Sequence, residues 1–85
     1  MTEFSYTVHD DNGIHARPAG LLVSQAQKHP CSIRMFCGEQ QADCKRLLQV
    51  MGLNVKQGET VRICCEGDAE AEAAQALEAL MRAQF

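Results

Sequence analysis

The sequence predicts an α+β fold: a four-stranded antiparallel sheet covered on one face by three helices, an open sandwich in the order βαββαβα. Three observations predict it. Short runs alternate apolar and polar residues with period two. Helical stretches place apolar residues at helical spacing, most clearly at i, i+3, i+4 and i+7 in the first. Only brief turn clusters separate them, with no linker, internal repeat or low-complexity tract. The chain has 85 residues, 46% of them hydrophobic, which supports one modest core in a single domain. Aromatics are 5% and Trp is absent, so that core must be mostly Val, Ile, Leu, Met and Ala.

The first strand is predicted over Phe4-Ser5-Tyr6-Thr7-Val8, which alternates apolar and polar. Asp10-Asp11-Asn12-Gly13 is a turn cluster. Pro18 opens a helix running to about Gln27, with Ala19, Leu22, Val23 and Ala26 on one stripe. Proline is tolerated in a first turn because its missing N–H has no partner there. Lys28 and His29 suit the helix end, and Pro30 stops it. Ser32–Phe36 alternates again, Gly38-Glu39 turns, and Gln40–Cys44 completes a hairpin. Lys45–Leu53 is a short second helix, with Leu47, Leu48, Val50, Met51 and Leu53 apolar. After a turn at Lys56–Glu59, Thr60–Cys65 is a strand with Val61, Ile63 and Cys65 on one face. Asp68 offers an N-cap for a third helix, Ala69 to about Ala83, buried through Ala73, Leu77, Leu80 and Met81.

Composition excludes several classes. The net charge is −3 with 22% charged residues, which fits neither a disordered acidic tail nor a generally basic nucleic-acid binder. No apolar run approaches the roughly 20 residues of a membrane span, and the polar, alternating start is no signal peptide. Five cysteines without a CxxC pair suggest buried or half-buried small hydrophobes in a reducing cytosol. His29-Pro30-Cys31 with Cys37 is the best metal candidate, but its spacing matches no zinc pattern, so neither a metal nor a cofactor is expected. Charge is segregated along the chain. Between Asn12 and Gly58, six cations (Arg17, Lys28, Arg34, Lys45, Arg46, Lys56) face only Glu39 and Asp43. Such a segment suits an anionic ligand or an acidic partner; chance segregation in a short chain is the competing reading.

Gly13-Ile14-His15-Ala16-Arg17-Pro18-Ala19 carries the chemistry. It joins the first strand to the first helix. His15 precedes a helix N-terminus whose unpaired N–H groups attract anions. One imidazole nitrogen is a nucleophile near neutral pH, and Arg17 brings a planar five-donor fork to the same place. Nucleophile, amide nest at Ala16, Arg17 and Pro18, and guanidinium together describe a site that accepts and releases a phosphoryl group. A helix cap or a surface histidine is the competing reading of His15.

The run Gly13–Val23, GIHARPAGLLV, resembles the active-site signature of the HPr family of histidine-containing phosphocarriers, of the phosphoenolpyruvate-dependent sugar phosphotransferase system. The resemblance spans 1–85 as one HPr-like phosphocarrier domain and includes Lys45–Gly58. It implies the family's open-faced β-sandwich and a small cytoplasmic carrier, not an enzyme. Enzyme I would phosphorylate His15 on Nδ1, IIA domains of sugar permeases would receive the group, and Arg17 would stabilise its charge. Partners would dock on Gly20, Leu21, Ser24 and Gln27, then on Leu47, Leu48 and Met51. The residue-level reading agrees: Leu21 lies off the buried stripe, and the second helix has more apolar residues than one stripe needs, unless all are core. A monomer is expected, with no nucleic acid and no membrane insertion.

Two positions depart from the family. Arg46 stands where Gram-positive members carry a kinase-modified serine, so that control looks absent, and Asp43 is expected to substitute as the cap. Asn54 stands where many members have glycine, and it tolerates the left-handed conformation. Three further readings stay open. A paralogue in a regulatory, nitrogen-related phosphotransferase chain would carry the same signature, and gene neighbourhood would separate it. A non-phosphorylated regulatory binding module would be favoured by loss of the histidine, which is present. A cysteine-rich metal or redox carrier would want an exposed CxxC loop.

Overall fold

The computed structural model describes all of residues 1–85. Its elements are β1 (Thr2–Thr7), α1 (Ala16–Gln27), β2 (Ser32–Cys37), β3 (Gln40–Asp43), α2 (Leu47–Gly52), β4 (Thr60–Glu66) and α3 (Glu70–Gln84). The four strands form one sheet in the order β1-β4-β2-β3, and every pairing is antiparallel. The predicted α+β architecture is therefore observed. β4 runs through the middle, with Ile63 opposite both Phe4 of β1 and Met35 of β2.

Period-two alternation gives each strand a core face. Val61, Ile63 and Cys65, Ile33 and Met35, and Ala42 are all buried on it. The helices press their stripes onto that face: Ala19, Leu22, Val23 and Ala26 from α1, Val50 from α2, and Ala73, Ala74, Leu77 and Met81 from α3 join the same cluster. Each large aliphatic side chain so buried contributes about 1.5–3 kcal/mol. The opposite face stays open, with Glu3, Ser5, Arg34, Gln41 and Arg62 exposed. There the Arg62 guanidinium lies 4.6 Å from the centre of the Phe36 ring and 3.1 Å from a Glu3 carboxylate oxygen. It also reaches the Cys64 sulfur at 3.6 Å, which is why a residue on the open face is buried.

Several boundaries differ from the sequence expectation. α1 starts at Ala16, two residues before Pro18, and His15 is its N-cap; proline is accepted anywhere in a first turn, so it does not mark the start. β1 begins at Thr2 because Thr2 and Glu3 pair with Cys65 and Cys64. It ends before Val8, whose N–H goes to the Glu59 carbonyl at 2.9 Å. α2 starts at Leu47, and its N-cap Arg46 makes no side-chain cap. Asp43 does not substitute: its carboxylate accepts the Lys45 N–H at 2.9 Å, outside the helix, and pairs with Arg46 at 3.7 Å. Asp68 does not cap α3. Ala69 takes that position in the left-handed region at φ 57°, without a side-chain cap. Leu80 is half-buried, and Phe85 is buried instead. Asn54 does adopt positive φ, at 51°.

The cysteines behave as small hydrophobes. Cys31, Cys44, Cys64 and Cys65 are buried, Cys37 is half-buried, and all are free thiols. Burial, then the neighbouring Cys65, pushes the Cys44 thiol up to about 12. Burial, then Cys31, pushes Cys65 to about 11. Thiols held this far from thiolate are poor nucleophiles.

Candidate functional site

The loop from His9 to Ile14 is tied down from three directions. The Phe85 backbone oxygen accepts the N–H groups of His9 and Asp10, at 2.6 and 2.9 Å. The Gln57 amide donates to the His9 carbonyl at 3.1 Å and to the Asp11 carboxylate at 3.0 Å. The Ile14 N–H donates to the Val55 carbonyl at 3.0 Å. Gly13 makes this approach possible. It sits at φ +65°, and a Cβ there would lie 2.2 Å from the Val55 oxygen. Both the backbone conformation and the contact require glycine.

The loop delivers His15 to the start of α1 in an extended conformation, φ −113° and ψ 174°. Its carbonyl accepts the Ala19 N–H at 2.9 Å, the first bond of the helix, while its side chain caps nothing. The side chain is therefore free for chemistry and is 37% exposed. Its Nε2 is shut off from solvent without a hydrogen-bond partner. An Asp10 carboxylate oxygen stands 3.5 Å from it. The Asp10 carboxyl is held below the usual carboxylate range, first by the Asn12 N–H and further by His15; that Asn12 bond is 2.8 Å long.

The helix start adds an anion-binding element. The backbone N–H groups of Ala16 and Arg17 have no carbonyl to bond within the helix. Pro18 has none to offer, so the nest is two amides wide. The first turn of α1 carries no acid, which leaves the positive end of its dipole uncompensated. Arg17 is exposed, and its guanidinium enters no ion pair or hydrogen bond. It lies two positions after His15 in the chain, and no hydrogen bond or ion pair ties it to the ring.

The expected docking positions lie on α1 and α2, which pack beside each other. Leu21 is 46%, Leu47 41% and Leu48 86% exposed, Ser24 and Gln27 are exposed, and Gly20 and Met51 are half-buried. Leu47 and Leu48 are thus not core, whereas Val50 and Leu53 are. Two bonds tie the end of α1 to the segment that leads into α2: Gln27 donates to the Lys45 carbonyl at 3.0 Å, and Lys45 Nζ donates to the His29 carbonyl, just past α1, at 2.7 Å.

The other histidines have local partners. His9 meets the Tyr6 ring edge-on at 5.8 Å, and His29 Nε2 lies 3.2 Å from the Gln25 amide. His29, Cys31 and Cys37 do not gather into a group that could hold a metal ion. A surface groove lined by Cys37, Glu39, Asn54 and Glu59 does not include His15. In the sequence Asp10 reads only as a turn residue, and nothing there links Gln57 or Phe85 to this loop. The first stands five positions from His15 without helical periodicity, and the others are far away in the chain.

The sequence and the fold are both similar to those of known proteins. A family model described as the PTS HPr component phosphorylation site matches residues 2–83. Phosphocarrier protein HPr of Lysinibacillus sphaericus is 42% identical over 81 residues, covering 95% of this chain and 92% of that one. Phosphocarrier protein HPr of Mycoplasma capricolum is 33% identical, over 95% of this chain and 91% of its own. The crystal structure of HPr-C-His from Thermoanaerobacter tengcongensis superposes with a TM-score of 0.94 at 35% identity, covering 100% of this chain and 96% of that one.

Proposed function

The chain belongs to the HPr family of phosphotransferase-system phosphocarriers, and on that premise we propose that His15 accepts a phosphoryl group on Nδ1 from phosphorylated enzyme I and passes it to IIA domains of sugar permeases. The observation that carries this reading is the state of His15. Its Nε2 is buried while its side chain remains partly open, which leaves Nδ1 as the accessible nucleophile. The Ala16 and Arg17 amides and the dipole of α1 supply an anion site beside it. The unpaired Arg17 is the mobile cation that meets the group in flight.

The carrier works stoichiometrically and turns over no small substrate alone, with residues 1–85 acting as one monomeric domain in the cytoplasm. No helix is long and apolar enough to cross a membrane. Leu21, Leu47 and Leu48, with Gly20, Ser24, Gln27 and Met51, form the surface that both partners share. Arg46 offers no hydroxyl, so phosphorylation by a serine kinase at this position is not part of its regulation.

The test is incubation with phosphoenolpyruvate and enzyme I, followed by intact-mass measurement and acid treatment. One acid-labile phosphoryl group is expected on the wild type and none on His15→Ala. Undiminished phosphorylation of His15→Ala rejects the assignment.

A further inference from the structure

We propose that Asp10 is the positioning residue that selects the reactive nitrogen of His15, holding a proton on Nε2 and stabilising the positive ring that carries the phosphoryl group. The proposal rests on the phosphocarrier reading above and deepens it. The family signature begins at Gly13 and says nothing about position 10; the geometry does.

Nε2 is the one buried side-chain nitrogen or oxygen in the protein without a hydrogen-bond partner. A buried polar atom left unpaired is costly, and the Asp10 carboxylate stands 3.5 Å away, just beyond a made bond. The carboxylate accepts only. A proton on Nε2 is therefore attracted to it, whereas a bare Nε2 lone pair is repelled. The neutral ring is biased to Nε2–H, and the free lone pair falls on Nδ1, the nitrogen open to a donor.

Asp10 is placed by bonds that do not involve His15. Its backbone N–H is held by the Phe85 oxygen at 2.9 Å. Its Oδ1 accepts the Asn12 N–H at 2.8 Å, and its Oδ2 is the oxygen that faces His15. One oxygen fixes the carboxylate and the other is left for the ring. This is the arrangement by which a second residue sets a histidine's tautomer.

The charge balance gives the carboxylate a second task. The Nδ1 lone pair forms the N–P bond as the bond between phosphorus and the donor atom breaks, its electron pair leaving on the donor. Nε2 keeps its proton, so the imidazole becomes a cation. That cation faces the Asp10 carboxylate, and the two draw together. On onward transfer the N–P electron pair returns to the ring, which is again neutral with its proton on Nε2. A ring that keeps its Nε2 proton is a better leaving group than its deprotonated form, so by holding that proton Asp10 keeps the phosphoryl group transferable.

Asp10→Asn is the discriminating variant. Its carbonyl can still accept the Asn12 N–H and keep the turn, but its NH₂ then faces Nε2 as a donor. Nitrogen-15 NMR of both proteins, at a pH where the ring is neutral, reads the tautomer without any phosphoryl chemistry. The wild type is expected to be predominantly Nε2–H, and Asp10→Asn to shift toward Nδ1–H. Both proteins are also phosphorylated with phosphoramidate, a small-molecule donor. Spontaneous hydrolysis of the phosphohistidine at pH 8 is expected to slow by about two- to fivefold in Asp10→Asn, the range of a partly exposed charge pair. Asp10→Glu, which restores the carboxylate, should recover part of both effects. Identical tautomer ratios in wild type and Asp10→Asn overturn the proposal, even if enzyme I phosphorylates both normally. If enzyme I fails to phosphorylate the wild type, the phosphocarrier reading falls, while the tautomer measurement still decides the role of Asp10.

Discussion

In the proposed site, Gly13 and Arg17 have two different kinds of role. Gly13 works through shape: its positive φ and its approach to the Val55 carbonyl set where the loop enters α1. In the proposed mechanism Arg17 works through charge, and it contributes nothing to packing. It is exposed and unpaired, so Arg17→Ala should change unfolding free energy by no more than about 0.5 kcal/mol. Transfer should fall much further. Losing one charge-assisted contact at a transferring group costs about 2.7–4 kcal/mol, roughly a hundredfold or more. Arg17→Lys should recover only part of the rate, because lysine has no bidentate fork. Rapid-quench transfer assays set beside denaturant unfolding check both halves; a rate within threefold of wild type for Arg17→Ala removes it from the mechanism. As candidates, His15 and Arg17 are legible in the sequence because their chemistry is local, a nucleophile and a cation at a helix start. Asp10 is not, because the role proposed for it depends on where the Asn12 amide and the Phe85 oxygen turn its carboxylate.

At the scale of elements, α1 followed the sequence rule closely. Ala19, Leu22, Val23 and Ala26 are all buried, and Leu21, off the stripe, is exposed. Helix starts followed it less well, because capping is decided by partners that need not be neighbours. The start of α3 is the clearest case. Local propensity favours Asp68, yet Glu70 organises this corner. Its carboxylate accepts the Thr2 hydroxyl at 2.8 Å, the Gly67 N–H at 3.2 Å and the amino group of Met1 at 2.9 Å. Residues 68 positions apart in the chain are joined there, beyond the reach of any local pattern. Those bonds, the Met1 amino group first and then Thr2 and Gly67, lower the Glu70 carboxyl from 4.5 to about 2. A carboxyl whose value falls on folding stabilises the protein above its unfolded value, and that contribution is lost as pH drops toward the folded one. Stability should therefore decline between about pH 4.5 and pH 2 through Glu70, and Glu70→Gln should flatten the decline. Denaturant unfolding of both proteins across this interval checks the expectation; parallel curves would assign the acid sensitivity elsewhere.

At the scale of the whole molecule, the fold separates its core from the proposed docking surface. The sheet and three helices close one core, and the surface of α1 and α2 is left with apolar residues that the core does not use. Leu48 is the extreme, at 86% exposed. Neither helix contains an acid, and Arg17, Lys28, Lys45 and Arg46 lie in or beside them, so the exposed leucines sit within a cationic border. Such a surface binds in two parts. Attraction between exposed charges acts at long range and is screened over about 8 Å at physiological ionic strength. Apolar burial acts at contact, is worth roughly 25 cal/mol per Å² before association costs, and is insensitive to salt. Affinity for the proposed enzyme I partner should accordingly weaken as salt rises and then level off. Leu48→Ala should lower the plateau by about 1 kcal/mol or more, as a buried interface contact does, while leaving the salt dependence parallel and the unfolding free energy within about 0.5 kcal/mol. Lys28→Gln with Arg46→Gln should do the reverse, flattening the salt dependence and sparing the plateau. Calorimetric titrations at several salt concentrations resolve the two parts. An affinity flat in salt for the wild type rejects the electrostatic part, and a Leu48→Ala plateau equal to wild type removes that side chain from the docking surface.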